Sequence, residues 1–135
     1  MPALTIIATT DTSATVSASS TWHKGTPKKI RGSWYFKQNS DYFYHTFYKN
    51  SDGSNYLAYS KHYRRYYKLP SHGQSHMKYQ KLSKNLYRLR GKDMTGHFTS
   101  FKVRYISRNT IKINGIKEHR KSPVKLISAP KGMKG

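Results

Sequence analysis

Basic and aromatic residues alternate in two short segments of the sequence, His62-Tyr63-Arg64-Arg65-Tyr66-Tyr67-Lys68 and Tyr87-Arg88-Leu89-Arg90. Aromatic rings can stack on bases or sugars, while Arg and Lys side chains bind phosphate groups. The two segments therefore predict an anion-binding surface whose cations are Arg64, Arg65, Lys68, Arg88 and Arg90. The rings predicted to stack on the ligand are Tyr63, Tyr66 and Tyr67. The alternative is a strand that packs its tyrosines inward and turns its cations to water, which would still leave a charged face.

The sequence does not indicate a catalytic site. The acids after residue 22 are Asp41, Asp52, Asp93 and Glu118, and no two of them stand in a context that would pair carboxylates for acid–base chemistry. The chain has no Gly-x-Ser-x-Gly motif and no glycine-rich phosphate loop. We therefore expect no catalytic residues and a binding protein rather than an enzyme.

Metal binding is not indicated either. His72 and His76 have the four-residue spacing that places two ligands on one helix face, but they stand in a segment rich in Gly and Ser. The chain has no cysteine, which excludes a zinc finger, a thiol nucleophile and a disulfide framework. We expect exposed loop histidines, and neither a metal ion nor a cofactor.

The charge of the chain is strongly positive. Lys and Arg number 26 against 5 acids, for a net charge of +21, and the first 22 residues contain no Lys or Arg. A field of this size attracts polyanions from solution. The sequence thus predicts an anionic partner for the part of the chain that follows residue 22.

The segment 1–21 differs in composition from the rest. It is small, uncharged except for Asp11, and rich in Thr, Ser and Ala, with Val16-Ser17-Ala18 similar to a signal-peptidase cleavage site. Two interpretations remain open, a truncated or atypical export signal and a disordered polar leader. In both cases we expect the fold to comprise residues 22–135 as a single domain. No segment approaches the roughly 20 apolar residues of a membrane span.

Strand-like segments follow one another from residue 22 onward. Phe98–Ile106 alternates most clearly, with Phe101, Val103 and Tyr105 on one face and Lys102 and Arg104 on the other. Asp52-Gly53 and Asn114-Gly115 are typical hairpin turn pairs. Other segments with strand composition are 30–37, 42–49, 55–60, 62–69, 76–82, 85–90, 111–113, 116–119 and 124–127. About eight short strands at intervals of roughly 8–12 residues predict a small antiparallel up-and-down barrel. A four-stranded sheet with a helix over residues 75–86 is the alternative.

Gly32-Ser33-Trp34, at the start of the first predicted long strand, resembles the Gly-x-Trp motif of lipocalins and their calycin relatives. The resemblance implies that Trp34 packs across the base of the barrel and that a late-strand arginine lies over its ring. Arg104 is the first candidate for this arginine and Arg120 the second, so the predicted barrel base is Gly32, Trp34 and Arg104. The alternative is that Trp34 is a core aromatic residue without this role.

A longer resemblance covers residues 22–35, Trp-His-Lys-Gly-Thr-Pro-Lys-Lys-Ile-Arg-Gly-Ser-Trp-Tyr. This segment is similar to the start of small, basic, exported proteins of lactic-acid bacteria. The resemblance implies export and a compact β fold, and it implies no activity.

Together these features predict a secreted or cell-surface binding module, expected to be a monomer, that associates with an anionic envelope polymer such as teichoic acid, or with acidic lipid head groups. A nucleic-acid-binding protein is one alternative. A small-ligand carrier or enzyme inhibitor of calycin type is another.

Overall fold

The computed structural model describes residues 21–129. This part of the chain is all-β, as predicted, and contains one 3₁₀ helix, Lys28–Ile30. Its strands are β1 (Trp22–Lys24), β2 (Gly32–Gln38), β3 (Asp41–Phe47), β4 (Asp52–Ser60), β5 (Arg65–Lys68), β6 (Ser75–Ser83), β7 (Leu86–Lys92), β8 (Phe98–Ser107), β9 (Thr110–Ile113), β10 (Ile116–His119) and β11 (Leu126–Ile127). The predicted leader lies almost wholly outside the described residues.

The strands form one sheet in the order β1-β6-β7-β8-β9-β10-β2-β3-β4-β5-β11. Neighbouring strands are antiparallel except β11, which is parallel to β5. The sheet thus has eleven strands rather than about eight. β11 lies within the predicted segment 124–127, whereas no predicted segment covers β1, whose three residues are too short to show an alternating pattern. The alternative with a helix over residues 75–86 is wrong, since that segment contains all of β6 and the first residue of β7. No helix in the described chain is long and apolar enough to cross a membrane.

One of the two predicted turn pairs is a turn. Asn114 and Gly115 have φ angles of 49° and 82° and connect β9 to β10, as an Asn-Gly turn requires. The prediction at Asp52-Gly53 is wrong, because both residues belong to β4. The chain reverses just before them, where the Tyr48 amide donates to the Ser51 carbonyl over 2.8 Å.

The start of β4 is hydrogen-bonded to the segment that leads into β6. Asp52 and Gln74 exchange two backbone hydrogen bonds of 3.0 and 3.2 Å, and the Met77 amide donates to the Asn50 carbonyl over 3.1 Å. Gly73 lies so close to this contact that a β-carbon there would be 1.9 Å from the Asp52 carbonyl oxygen. These bonds join two parts of the sheet that are far apart in the strand order.

Residues on one face of the strands form the main core. Its most deeply buried members are Ile30, Trp34, Phe47, Met77, Leu89, Val103 and Ile111. Burying each large apolar side chain stabilises the fold by roughly 1.5–3 kcal/mol. A second cluster, Tyr35, Tyr44 and Leu57, lies on the opposite face of β2–β4, where Val124 and Leu126 cover it. β2 therefore has both faces buried.

Candidate functional site

Trp34 lies at the end of the main core next to the 3₁₀ helix. Its side chain is 0% exposed, and its indole Nε1 donates to the Ile30 carbonyl over 2.7 Å. The guanidinium carbon of Arg120 lies 3.7 Å from the centroid of the Trp34 ring. Trp34 is thus a core residue that is also covered by an arginine.

Each of the three nitrogens of the same guanidinium donates to a backbone carbonyl. Arg120 donates through Nη2 to Lys29 over 2.9 Å, through Nε to Arg108 over 3.3 Å, and through Nη1 to Arg31. Burial lowers the pKa of Arg120 from its ordinary value. Gly32 is needed beside it, because its φ is +107° and a β-carbon would come within 2.7 Å of Arg120 Nη1.

The assignment of Arg104 to the Trp34 ring is wrong, and the second candidate, Arg120, occupies that place. Val103 is in the main core, so the alternation of β8 turns Arg104 to the opposite face. There Arg104 is exposed and pairs with Leu86 on β7 and with Lys112 on β9.

Arg104 instead belongs to a continuous positively charged surface. The cross-strand register places cations from β1 and from β6 through β10 on the face opposite the main core. We call this surface the cationic face, and its members are Lys24, Lys78, Arg88, Arg90, Lys92, Lys102, Arg104, Lys112 and Lys117. Sequence reasoning identified Arg88 and Arg90 as anion-binding and missed the lysines, whose proximity depends on strand register.

Cations on this face stand directly opposite one another. The like-charged pairs are Lys24–Lys78, Lys78–Arg90, Arg88–Lys102, Arg104–Lys112 and Lys112–Lys117. Like charges at directly opposed positions destabilise a sheet by a few tenths of a kcal/mol each. None of the acids in the described chain occupies a position in these rows.

A groove of about 610 Å³ lies on the cationic face. Its charged lining consists of Arg88, Lys102, Arg104 and Lys112. Neutral residues from the β9–β10 turn, Asn114 and Gly115, complete one side. The groove therefore offers cations from three adjacent strands to one ligand.

The other predicted anion-binding residues lie elsewhere. Arg64 and Arg65 are exposed at the β4–β5 turn and Lys68 is at the end of β5, which six strands separate from β7 in the sheet order. The Lys68 ammonium lies 5.2 Å from the centroid of the Tyr44 ring. The five predicted residues thus belong to two surfaces rather than one.

The predicted stacking rings are only partly accessible. The prediction is wrong for Tyr67, which is 8% exposed, because β5 turns this ring inward. Tyr66 makes edge contacts with Tyr42 and Tyr59 at ring distances of 5.4 and 5.1 Å. Tyr63 has an exposed ring, at 48%, next to His62.

A polar cluster that the sequence did not reveal lies inside the fold. His45 Nε2 lies 3.1 Å from Asp52 Oδ2, and His45 Nδ1 lies 4.0 Å from Glu118 Oε1. Glu118 is 3% exposed, and burial raises its pKa to about 7. Its Oε1 accepts no hydrogen bond within the described chain. These residues come from β3, β4 and β10, so no local spacing could have indicated their proximity.

The region around His45 and Asp52 opens into a cavity of about 500 Å³, which His72 also lines. His76 is not part of this lining and is exposed, with its ring Nδ1 2.9 Å from Ser75 Oγ. Among residues 21–129 no three His, Cys, Asp or Glu side chains are arranged to hold a metal ion.

Comparison of the chain with protein-family models, with curated proteins and with solved structures finds no match. The resemblances to calycins and to exported proteins of lactic-acid bacteria therefore stay predictions.

Proposed function

We propose that the protein is an exported, non-enzymatic binding module that holds anionic polymers of the cell envelope, such as teichoic acid, on its cationic face. The observation that carries this proposal is the set of directly opposed cation pairs on β1 and β6–β10, with no acid among them. A bound polyanion would convert this mutual repulsion into attraction.

The extent of the cationic face fits a polymer that crosses the strands. Neighbouring strands lie about 4.8 Å apart, so the four steps from β6 to β10 span roughly 19 Å. If one phosphate is neutralised at each step between neighbouring strands, about four phosphates are neutralised in all. The logarithm of the binding constant should then fall with the logarithm of the salt concentration with a slope of about −3.

We also propose that the sheet curls into a barrel of calycin type. The backbone hydrogen bonds between Asp52 and Gln74, at the start of β4 and before β6, support closure at that point. The contact of Arg120 with Trp34 supports the calycin comparison, since a late arginine over the motif tryptophan is what that resemblance implies.

A small-ligand carrier is the second candidate. The cavity beside His45 and Asp52 has a volume of about 500 Å³. That volume is within the range of small-molecule sites, and its lining combines polar groups with Phe101 and Ile113. This site shares Phe101 and Asn114 with the groove on the cationic face but none of its cations, so substitutions of those cations test the two functions independently.

The test is a binding titration of the full chain with labelled teichoic acid, and with single-stranded and duplex nucleic acid, between about 50 and 200 mM salt. We expect teichoic acid to bind with a slope of about −3 and to displace nucleic acid. Nucleic-acid binding that persists in excess teichoic acid would replace the proposal with a nucleic-acid-binding function.

A further inference from the structure

Arg90 on the cationic face is enclosed by two aromatic side chains. Its guanidinium carbon lies 4.8 Å from the centroid of the Trp22 ring and 5.3 Å from that of the Phe98 ring. Trp22 comes from the edge strand β1, which β6 separates from β7, and Phe98 comes from the first position of β8, which pairs with β7. The two rings therefore approach Arg90 from opposite sides of its strand. Within residues 21–129, no other cation lies over two rings.

Comparison with Arg120 shows what is unusual about Arg90. Both guanidinium groups lie over a tryptophan, and that of Arg120 donates to three backbone carbonyls. The guanidinium of Arg90 makes no hydrogen bond or ion pair with any described residue, although the residue is half-buried. The stacked position of Arg120 therefore serves the fold, whereas the N–H donors of Arg90 are positioned and left free for a group from outside.

We infer that Arg90 recognises one phosphodiester group of the bound polymer. Two N–H groups of its guanidinium donate to this phosphodiester at the same time. This inference rests on the proposed function. It identifies Arg90 as the residue that selects a phosphate by geometry, on a surface that otherwise binds the polymer by charge alone. A guanidinium binds two oxygens of one phosphate in a planar fork, which an ammonium cannot do.

The rings supply the preorganisation that such a site needs. A free arginine loses side-chain entropy when it binds, and contacts that already restrict its rotamers reduce this cost. The indole and phenyl faces also attract the cation directly. Lys78 lies directly opposite Arg90 on β6, so it can add a second charge to the same phosphate.

The experiment compares three variants of the full chain in binding to labelled poly(glycerol phosphate) teichoic acid. Arg90→Lys keeps the charge and removes the fork. Phe98→Leu keeps every charge and removes one ring, at a residue that is 61% exposed, so that the fold is little affected. Arg108→Lys is the matched control, because Arg108 is exposed in the β8–β9 turn, outside the cationic face, and lies over no ring within the described chain.

We expect Arg90→Lys to weaken binding about tenfold, the value of one charge-assisted hydrogen bond, and Phe98→Leu to weaken it by about threefold. Arg108→Lys should stay within about twofold, and the salt slope of all three variants should equal that of the original chain. Equal affinities for Arg90→Lys and Arg108→Lys, together with an unaffected Phe98→Leu, would overturn the inference and leave the proposed function intact. Absence of teichoic acid binding by the original chain would overturn both.

Discussion

The side chains of Arg120 and Trp34 are in direct contact, with the guanidinium carbon 3.7 Å from the ring centroid. Arg120 follows β10, and through its hydrogen bonds to Lys29 and Arg31 it also attaches the 3₁₀ helix and the residue before β2. One side chain therefore connects an early and a late part of the chain across the end of the core.

Replacing Arg120 by Met should destabilise the protein by about 2–4 kcal/mol, because the cation–π contact and the charge-assisted hydrogen bonds are lost together. The free energy of unfolding in urea measures this. Arg104→Met is the matched control, since Arg104 is exposed and lies over no ring in the described chain. It should change stability by less than about 0.5 kcal/mol. A larger loss for Arg104→Met than for Arg120→Met would restore Arg104 as the structural arginine.

Glu118 should make stability fall as pH rises. Burial raises its folded-state pKa to about 7 from an ordinary value of 4.5. Below pH 4.5 the carboxyl is protonated in both states. Between pH 4.5 and about 7 the carboxyl ionises in the unfolded state but stays protonated in the folded state. The free energy of unfolding therefore falls progressively over this range, and the fall is complete above pH 7. The total fall in the free energy of unfolding is up to about 3 kcal/mol.

The measurement is the free energy of unfolding of the original chain and of Glu118→Gln from about pH 4.5 to 8.5. Both proteins retain His45 and Asp52, so the difference between the two curves isolates Glu118. We expect the variant to gain stability relative to the original chain as pH rises. A difference that is independent of pH would show that Glu118 titrates at its ordinary value.

Lys112→Glu should raise stability and lower polymer affinity. Lys112 lies between Arg104 and Lys117, so the change converts two repulsive cross-strand pairs into attractive ones. Each opposite-charge pair contributes roughly 0.2–1 kcal/mol, and urea unfolding should show a gain of about that size. Lys84→Glu is the control, because Lys84 is exposed in the β6–β7 turn outside the cationic face. A stability gain as large in Lys84→Glu would attribute the effect to net charge.

Charge reversal should distinguish the cationic face from the β4–β5 turn. Lys102→Glu with Arg104→Glu removes two cations of the groove, and Arg64→Glu with Arg65→Glu makes the same change in net charge elsewhere. We expect the first pair to reduce teichoic acid affinity at least about tenfold and to make the salt slope less steep by about 1.4. The second pair should have a several-fold smaller effect. Equal losses would indicate that total charge rather than the cationic face determines binding.

Gly73→Ala should weaken the contact between β4 and the segment before β6. The added β-carbon would meet the backbone of Asp52 at 1.9 Å, and the chain must shift to relieve this clash. We expect a loss of about 2 kcal/mol or more in urea unfolding. The amides of Asp52 and Gln74 should also exchange faster with solvent. Ser75→Ala, at a nearby exposed position, should do neither.

The sequence predicted the parts of this structure that depend on local pattern. The alternation from Phe101 to Tyr105 indicated both faces of β8, and Asn114-Gly115 indicated the β9–β10 turn. The prediction at Asp52-Gly53 was wrong because the turn preference of this pair is a local property. The Asp52 backbone is instead hydrogen-bonded to Gln74, which lies far along the chain.

The candidate site was predicted less well, because it depends on register. Arg88 and Arg90 were identified by their position among aromatic residues, but the opposition of Arg88 to Lys102 is set by how β7 pairs with β8. The error at Arg104 has the same origin. Its strand pattern already placed it with Lys102, away from the core, while the position of Arg120 beside Trp34 depends on the pairing of β10 with β2.

The cationic face contains nine of the 24 Lys and Arg residues between positions 21 and 129, so most of the positive charge of this part of the chain lies outside it. One polymer strand neutralising about four charges would leave the rest able to attract a second strand. At low ionic strength a single molecule could then bridge two polymers, and a few molecules could crosslink a loose anionic layer into a denser one. The density of that layer would depend on the salt concentration, since dissolved ions screen every contact between the protein and the polymers.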